Sequence, residues 1–177
     1  MDHTAHVKLL AGGIPERGGI WADLGAGSGA FTLALADLIG ADGVIHAVDR
    51  DVRALNENER QMAARFPAVK LIVHAADFMQ PLNLPPLDGV VMANSLHFHR
   101  DPLAVLRQTW SRLKPGGRLL LVEYNTDHGN TWVPHPLAYP TWAEVAARAG
   151  FVNIRQLAAV PSRFLGEMYS ACAERRP

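Results

Sequence analysis

Short β-rich runs alternate with helical stretches along almost the whole chain, and this alternation admits a layered α/β fold and little else. The runs are Gly19–Leu24, Val44–Val48, Val69–His74, Gly89–Ala93 and Arg118–Tyr124. Between the first two, Phe31, Leu35 and Leu38 share one face of a helix expected over about Ala30–Ile39, which Gly40 and Gly43 close. A polar helix over about Val52–Phe66 stops at Pro67, and Leu103, Leu106, Trp110 and Leu113 mark a helix over Pro102–Leu113 that Lys114-Pro115-Gly116-Gly117 breaks. After Tyr124 the stretch Asn125–Pro140, rich in Pro, Asn, Asp, Gly and aromatics, reads as a long loop. Thr141 with Glu144 three residues on predicts a capping box for a helix ending near Gly150. The last runs, Asn153–Val160 and Glu167–Ala173, flank a connection too short for a helical crossover, so they should pair as an antiparallel hairpin. The expected architecture is one α/β domain over residues 1–177. Its seven-stranded sheet is mostly parallel, with a C-terminal antiparallel hairpin and helices on both faces.

Composition narrows the functions such a sheet can serve. With 49% hydrophobic residues in 177, the chain can fill a core without staples. Seventeen Lys and Arg balance seventeen Asp and Glu, with no long run of either sign, so no nucleic-acid or anionic-membrane partner is expected. The single cysteine, Cys172, excludes an intramolecular disulfide and a cysteine-based zinc cage, which fits a reducing, cytoplasmic compartment. No apolar run reaches the ~18 residues of a membrane span, and the first ten residues lack the apolar core of a signal peptide. A soluble monomer or homodimer is expected.

The segment Trp21-Ala22-Asp23-Leu24-Gly25-Ala26-Gly27-Ser28-Gly29-Ala30 lies between the first strand and the first helix. Glycine at 25, 27 and 29 lets backbone approach a ligand where any Cβ would collide. Gly25-x-Gly27-x-x-Ala30 satisfies the dinucleotide fingerprint, but glycine turns also serve packing, so the match alone is weak. Two acids strengthen it. Asp49 ends the second strand twenty residues after the last glycine, where a carboxylate can accept both hydroxyls of a ribose, and Asp77 follows the third strand at the same sheet edge. Either acid alone could be a helix cap or a turn carboxylate. Together with the turn they converge on one crevice at the carboxyl ends of parallel strands, where open α/β sheets bind ligands.

These blocks resemble the class I S-adenosylmethionine-dependent methyltransferases, in particular small-molecule methyltransferases of the ubiquinone-biosynthesis type. The resemblance spans roughly Ile20–Ala173 and rests on Asp23-x-Gly25-x-Gly27-x-Gly29, Val48-Asp49, Ala76-Asp77-Phe78, Asp88-Gly89-Val90-Val91 and Leu113-Lys114-Pro115-Gly116-Gly117-Arg118. It implies a Rossmann-like fold and S-adenosylmethionine as cofactor. By the resemblance, the turn Gly25-Ala26-Gly27-Ser28-Gly29 passes under the methionine portion, and Asp23 supports the turn or the amino group. Asp49 binds the ribose hydroxyls, Asp77 and the backbone N–H of Phe78 hold the adenine, and Asn94 faces the methionine amino group. Where the family commonly covers one adenine face with an apolar residue, this chain has Arg50, whose guanidinium can stack there. Relatives often carry N-terminal helices that lid the pocket, whereas only Met1–Gly18 precede the first strand here. After the fourth strand, Asn94-Ser95-Leu96-His97-Phe98-His99 lacks the Pro-Pro-aromatic block of methyltransferases acting on planar amino groups, which disfavours DNA and protein glutamine as acceptors.

Methyl transfer from a sulfonium needs a base only when the nucleophile is protonated. Candidate catalytic groups are His97 and His99, Glu123 and Tyr124 at the end of the fifth strand, and His128 and His135 in the long loop; the alternative for each is pocket lining or solvent. No metal is expected, since His97-x-His99 with Asp101 lacks a further ligand at a telling spacing. Trp132, Pro134, Pro136, Tyr139 and Trp142 could wall an apolar acceptor or pack the loop down, and the loop is expected to close over the acceptor. His46 and His74, inside strands, read as hydrogen-bonded structural residues, and Cys172 as a small buried hydrophobe. The first functional reading is S-adenosylmethionine-dependent methyl transfer to a small-molecule acceptor. The alternatives are an NAD(P)-dependent oxidoreductase and a module that binds S-adenosylmethionine without turnover.

Overall fold

A computed structural model describes residues 1–177. A helix α1 (His3–Ala11) precedes β1 (Gly19–Leu24), α2 (Ala30–Ile39), β2 (Gly43–Asp49), α3 (Val52–Arg65) and β3 (Lys70–Ala75). Then come β4 (Leu87–Ala93), a 3₁₀ turn at Leu96–Phe98, α4 (Pro102–Arg112), β5 (Leu113–Tyr124), α5 (Tyr139–Arg148), β6 (Phe151–Ser162) and β7 (Gly166–Arg175). The seven strands form one mixed sheet in the order β3-β2-β1-β4-β5-β7-β6. All neighbouring pairs are parallel except the two made by β7, which is antiparallel to both β5 and β6.

Strand alternation sorts the core into two layers. Leu119 and Leu121 of β5 point to one face with Tyr169 and Ala171 of β7, where Leu106 of α4 and Trp142 of α5 cover them. Leu120, Val122 and Cys172 point to the other face, under Leu9 and Leu10 of α1 and Phe31, Leu35 and Ile39 of α2. Because α2 packs against α1, α3 and the sheet together it is buried almost all round, and Gly40, at φ +69°, ends it. The carboxylates of Asp51 and Asp101 cap α3 and α4 by accepting from the backbone N–H groups of Arg53 and Ala54, and of Ala104. His46 and His74 hydrogen-bond to each other across β2 and β3, Nδ1 to Nε2 at 2.9 Å. No helix is long and apolar enough to cross a membrane.

Three local expectations change. Lys114-Pro115-Gly116-Gly117 does not separate α4 from β5 but bulges within β5: Leu113 pairs with Leu87 and Arg118 with Gly89, and Lys114 reaches back to Asp88 at 2.8 Å. Thr141 is not the cap of α5. Asp127 captures its hydroxyl at 2.9 Å and also accepts from the N–H of Ala138, so the helix starts at Tyr139 with Pro140 in its first turn, where a missing N–H costs nothing. The third departure is α1, for which the sequence pattern gave no sign: only Leu9 and Leu10 of its nine residues are buried.

Candidate active site

The crevice opens above the carboxyl ends of β1 and β4, where the strand order reverses and the following connections leave to opposite faces. The backbone N–H groups of Gly25 and Ala26 donate to the Val48 carbonyl at 2.8 and 3.1 Å, pinning the glycine turn to β2. Gly25 has φ +82°, and a Cβ there would lie 2.4 Å from that of Ser95, so only glycine fits. Gly27, at φ +51°, is different: a Cβ would meet no protein atom within 4 Å and would project into open space. The Asp49 carboxylate accepts from the Gly27 N–H at 2.8 Å and from the Asp51 N–H at 2.9 Å, tying the turn to the start of α3.

Asp23 lies beneath the turn, 1% exposed, and accepts from the Thr32 hydroxyl at 2.7 Å, which in turn accepts from the Asn58 amide. Burial pushes its carboxyl up to about 7, against the opposing pull of the Thr32 hydrogen bond and with a smaller push from Asp49. Asp77 accepts from the Met79 N–H at 2.8 Å through one oxygen, and its other faces the Arg50 guanidinium at 3.8 Å. Asn94 adopts a left-handed backbone at φ 52°, and its Oδ1 is buried without a partner.

Two hollows share this crevice. One, of about 150 Å³, is lined by Asp49, Arg50, Asp77, Phe78, Phe98 and His99; the other, of about 270 Å³, lies over Asp23, Gly27, Ser28, Phe31 and His6. Gly25 and Asn94 line both. A third, more apolar cleft of about 600 Å³ opens beside them, lined among others by His6, Phe31, Asn94, Tyr124 and Phe164.

Of the residues expected at a cofactor, Asp23, Gly25, Ala26, Gly27, Asp49, Arg50, Asp77, Phe78 and Asn94 all line the two hollows. Gly29 does not. A Cβ there would lie 2.5 Å from Asn58 Oδ1, so this glycine serves the packing of α2 on α3. The expected catalytic set disperses. Tyr124 lines the apolar cleft, and burial raises its phenol, with Glu123 adding to the effect. His99 stands at the Asp77 end against Phe78, ring centroids 4.9 Å apart, and burial lowers its imidazole. His97 and Glu123 are 3% and 1% exposed and form a buried pair, Nδ1 lying 2.9 Å from both carboxylate oxygens. Glu123 also accepts from the Tyr124 N–H at 2.8 Å, so the pair fixes the end of β5 to the 3₁₀ turn, and neither residue lines the three clefts. His128 and His135 are exposed, and the backbone N–H of His135 donates to the His97 carbonyl.

No residue of the loop after β5 lines any of the three clefts. Trp132 is 75% exposed, whereas Tyr139 packs inward against Trp142 and Tyr169. Asn125, Asp127 and Asn130 tie the segment down through hydrogen bonds to Tyr139, Ala138, Thr141, Trp132 and Val133. Tyr139 and Trp142 therefore serve packing, and Trp132 does not. Composition missed His6, Phe31, Ser95 and Phe98, which line the clefts without belonging to any recognisable motif.

A Rossmann-like sheet with a glycine turn after β1 and acids after β2 and β3 defines a nucleoside-binding α/β protein. More narrowly, residues 22–119, more than half of the chain, match the family described as "Methyltransferase domain", and the chain belongs to that family. A curated relative, demethylmenaquinone methyltransferase of Geobacillus sp. (strain WCH70), is 26% identical over 101 residues, which cover 57% of this chain and 43% of the relative. The chain thus matches less than half of that relative's length. Among solved structures, the YcgJ protein of Bacillus subtilis superposes with a TM-score of 0.78 at 12% identity, covering 99% of this chain and 100% of that one. The 1,6-didemethyltoxoflavin-N1-methyltransferase of Burkholderia thailandensis, solved with 1,6-didemethyltoxoflavin and S-adenosylhomocysteine, gives 0.74 at 19% identity, covering 99% and 78%. The oxidoreductase alternative finds no support in these matches.

Proposed function

We propose that this chain binds S-adenosylmethionine across the two polar hollows and transfers its methyl group to a small-molecule acceptor. The observation that carries the reading is the convergence of Asp49, Asp77 and Asn94, at the ends of three strands, on one crevice beside the Gly25–Gly29 turn. The residues fit the group. The unpartnered Asn94 Oδ1 is an acceptor for the methionine ammonium, and the open space over Gly27 admits a chain that a Cβ would exclude. Asp49 keeps free lone pairs beyond those used by Gly27 and Asp51, and these accept the ribose hydroxyls. Asp77 accepts from the adenine amino group, with Arg50 and Phe78 beside the ring.

When bound, the cofactor supplies a methyl carbon already activated by the sulfonium, so the protein's task is alignment and exclusion of water. Asp49 and Asp77 fix the nucleoside, Asn94 orients the amino-acid end, and Asp23 with Thr32 holds the turn between them. Small-molecule chemistry is supported by the toxoflavin-precursor enzyme of the same fold and by the demethylmenaquinone relative. Calorimetry tests the reading: S-adenosylhomocysteine should bind at micromolar affinity and NAD should not. Tight binding of NAD with no response to S-adenosylhomocysteine overturns it.

A further inference from the structure

The methionine-side hollow and the apolar cleft meet at three residues, His6, Phe31 and Asn94, each of which lines both. Whatever passes a methyl group from one space to the other does so across this junction. The apolar cleft is assembled from four distant parts of the chain: Ala5 and His6 of α1, Phe31 of α2, Tyr124 of β5, and Phe164 and Met168 from the β6–β7 turn and β7. Its volume of about 600 Å³ lies within the range of small-molecule sites.

Among the histidines, His3 is bonded to Asp37, His46 to His74, and His97 to Glu123. His99 stands at the opposite, Asp77 end of the crevice. His6 alone stands at the junction. Its ring packs on Phe31 at 4.7 Å between centroids, and its nitrogens are engaged by no protein group. Burial, with smaller pushes from the Met1 amino group and His3, lowers its imidazole against the pull of Asp2. It is therefore neutral near pH 7 and able to accept a proton.

Resting on the proposed methyl transfer, we infer that the apolar cleft holds the acceptor, an apolar ring-bearing molecule with one weakly acidic hydroxyl, and that His6 is its catalytic base. An acceptor lone pair forms the new carbon–oxygen bond to the methyl carbon. The carbon–sulfur pair leaves with sulfur, which becomes a neutral thioether, and the hydroxyl proton passes to the His6 imidazole and then to water. One positive charge is lost at sulfur and one gained at His6, so the step balances. The Tyr124 phenol lies in the same cleft, protonated at neutral pH, and can donate to the acceptor oxygen. This placement predicts that the charge on sulfur reaches His6 directly.

The test is a histidine-labelled NMR titration of the intact chain saturated with S-adenosylmethionine or with S-adenosylhomocysteine, ligands that differ by the methyl and its charge. The His6 signal is assigned with His6→Gln. The other groups facing His6 are Asp2, His3 and the Met1 amino group on its own segment, Asp23 below, Tyr124 beside it and Arg163 at the hairpin tip, and all are common to both complexes. The His6 pKa should be lower with the sulfonium by about one unit or more, the direction and size expected of a unit positive charge introduced across the junction at an effective dielectric near 20, with exposed His128 unmoved. In parallel, 2-naphthol and 2-naphthalenethiol are offered as acceptors, and S-adenosylhomocysteine formation is followed. For any that is methylated, His6→Gln, verified as folded by its melting curve, should lower kcat about 100-fold or more for the naphthol and less for the readily ionised thiol. If neither is methylated, the titration alone decides. Failure of S-adenosylhomocysteine to bind wild-type protein removes the functional reading itself. Binding with an unmoved His6 signal, or methylation of naphthol undiminished in His6→Gln, overturns only the role of His6.

Discussion

Replacing Asp49 by alanine removes an acceptor that the structure uses twice before any ligand arrives. Its carboxylate holds the Gly27 N–H at 2.8 Å and the Asp51 N–H at 2.9 Å while lining the nucleoside hollow. Hydrogen bonds to a charged acceptor contribute about 1.5–3 kcal/mol each, and two on one carboxylate are not additive. Loss of the ribose contacts with loosening of the glycine turn should therefore cost about 2–4 kcal/mol of binding, or roughly 30- to 700-fold in the dissociation constant. Asp49→Asn keeps one oxygen for the Gly27 amide and loses only the charge and the second acceptor, so it should fall between wild type and alanine. Calorimetry with S-adenosylhomocysteine measures both variants. Repeating it with 5′-methylthioadenosine, which has the ribose but no amino-acid portion, should give a similar loss. An Asp49→Ala protein that melts normally and binds S-adenosylhomocysteine with unchanged affinity would refute the argument, and Asp49 would then be a turn residue only.

Gly27→Val should abolish S-adenosylhomocysteine binding in calorimetry while lowering stability by only about 1–3 kcal/mol, because its side chain meets ligand space rather than protein and the strain is confined to one positive φ. Asp23→Asn should stabilise the protein in a pH-dependent way. The folded wild type binds the Asp23 proton more tightly than the unfolded chain between 3.8 and about 7, so wild-type stability falls as pH rises through that window. The asparagine variant escapes this fall, and urea melts should show its advantage absent near pH 4 and fully developed at pH 8. Glu123→Ala should cost about 1–3 kcal/mol in chemical denaturation, since it leaves the buried His97 Nδ1 and the Tyr124 N–H without their acceptor, and Glu123→Gln, which retains an acceptor, should cost clearly less.

The parts legible in the sequence were those with local causes. A glycine turn, an acid at a strand end and an apolar run before a break are each written within a few residues, and so the crevice beside Gly25, Asp49 and Asp77 could be read without coordinates, while Asp23 and Asn94 came with the family resemblance. Contacts between distant segments could not. Thr141 has the spacing of a cap, yet Asp127, fourteen residues earlier, takes its hydroxyl. Trp132 and Tyr139 have the composition of a lid, but Trp132 is exposed, Tyr139 packs inward, and the loop is held by backbone N–H groups that donate to Asn125 and Asn130. His97 and Glu123 looked available for catalysis because sequence carries no measure of burial. His6 was overlooked because its partners, Phe31, Tyr124 and Phe164, come from three other segments.

The placement of β7 between β5 and β6 has a consequence for the order in which this molecule can assemble. A chain emerging from the ribosome completes β6 first, yet β6 has no partner in the finished sheet except the strand that follows it. Until Gly166–Arg175 is made, the outer edge of β5 stays open along its length, with hydrogen-bonding groups unpaired and Leu119 and Leu121 missing their cross-strand neighbours Ala173 and Ala171. A nascent chain halted after β6 is thus a sticky intermediate rather than a smaller version of the fold. Its glycine turn and acids are already synthesised, but Met168, one wall of the apolar cleft, is not. The residues of the glycine turn and those that close the sheet are made at different moments of synthesis, and only the later ones complete the apolar cleft.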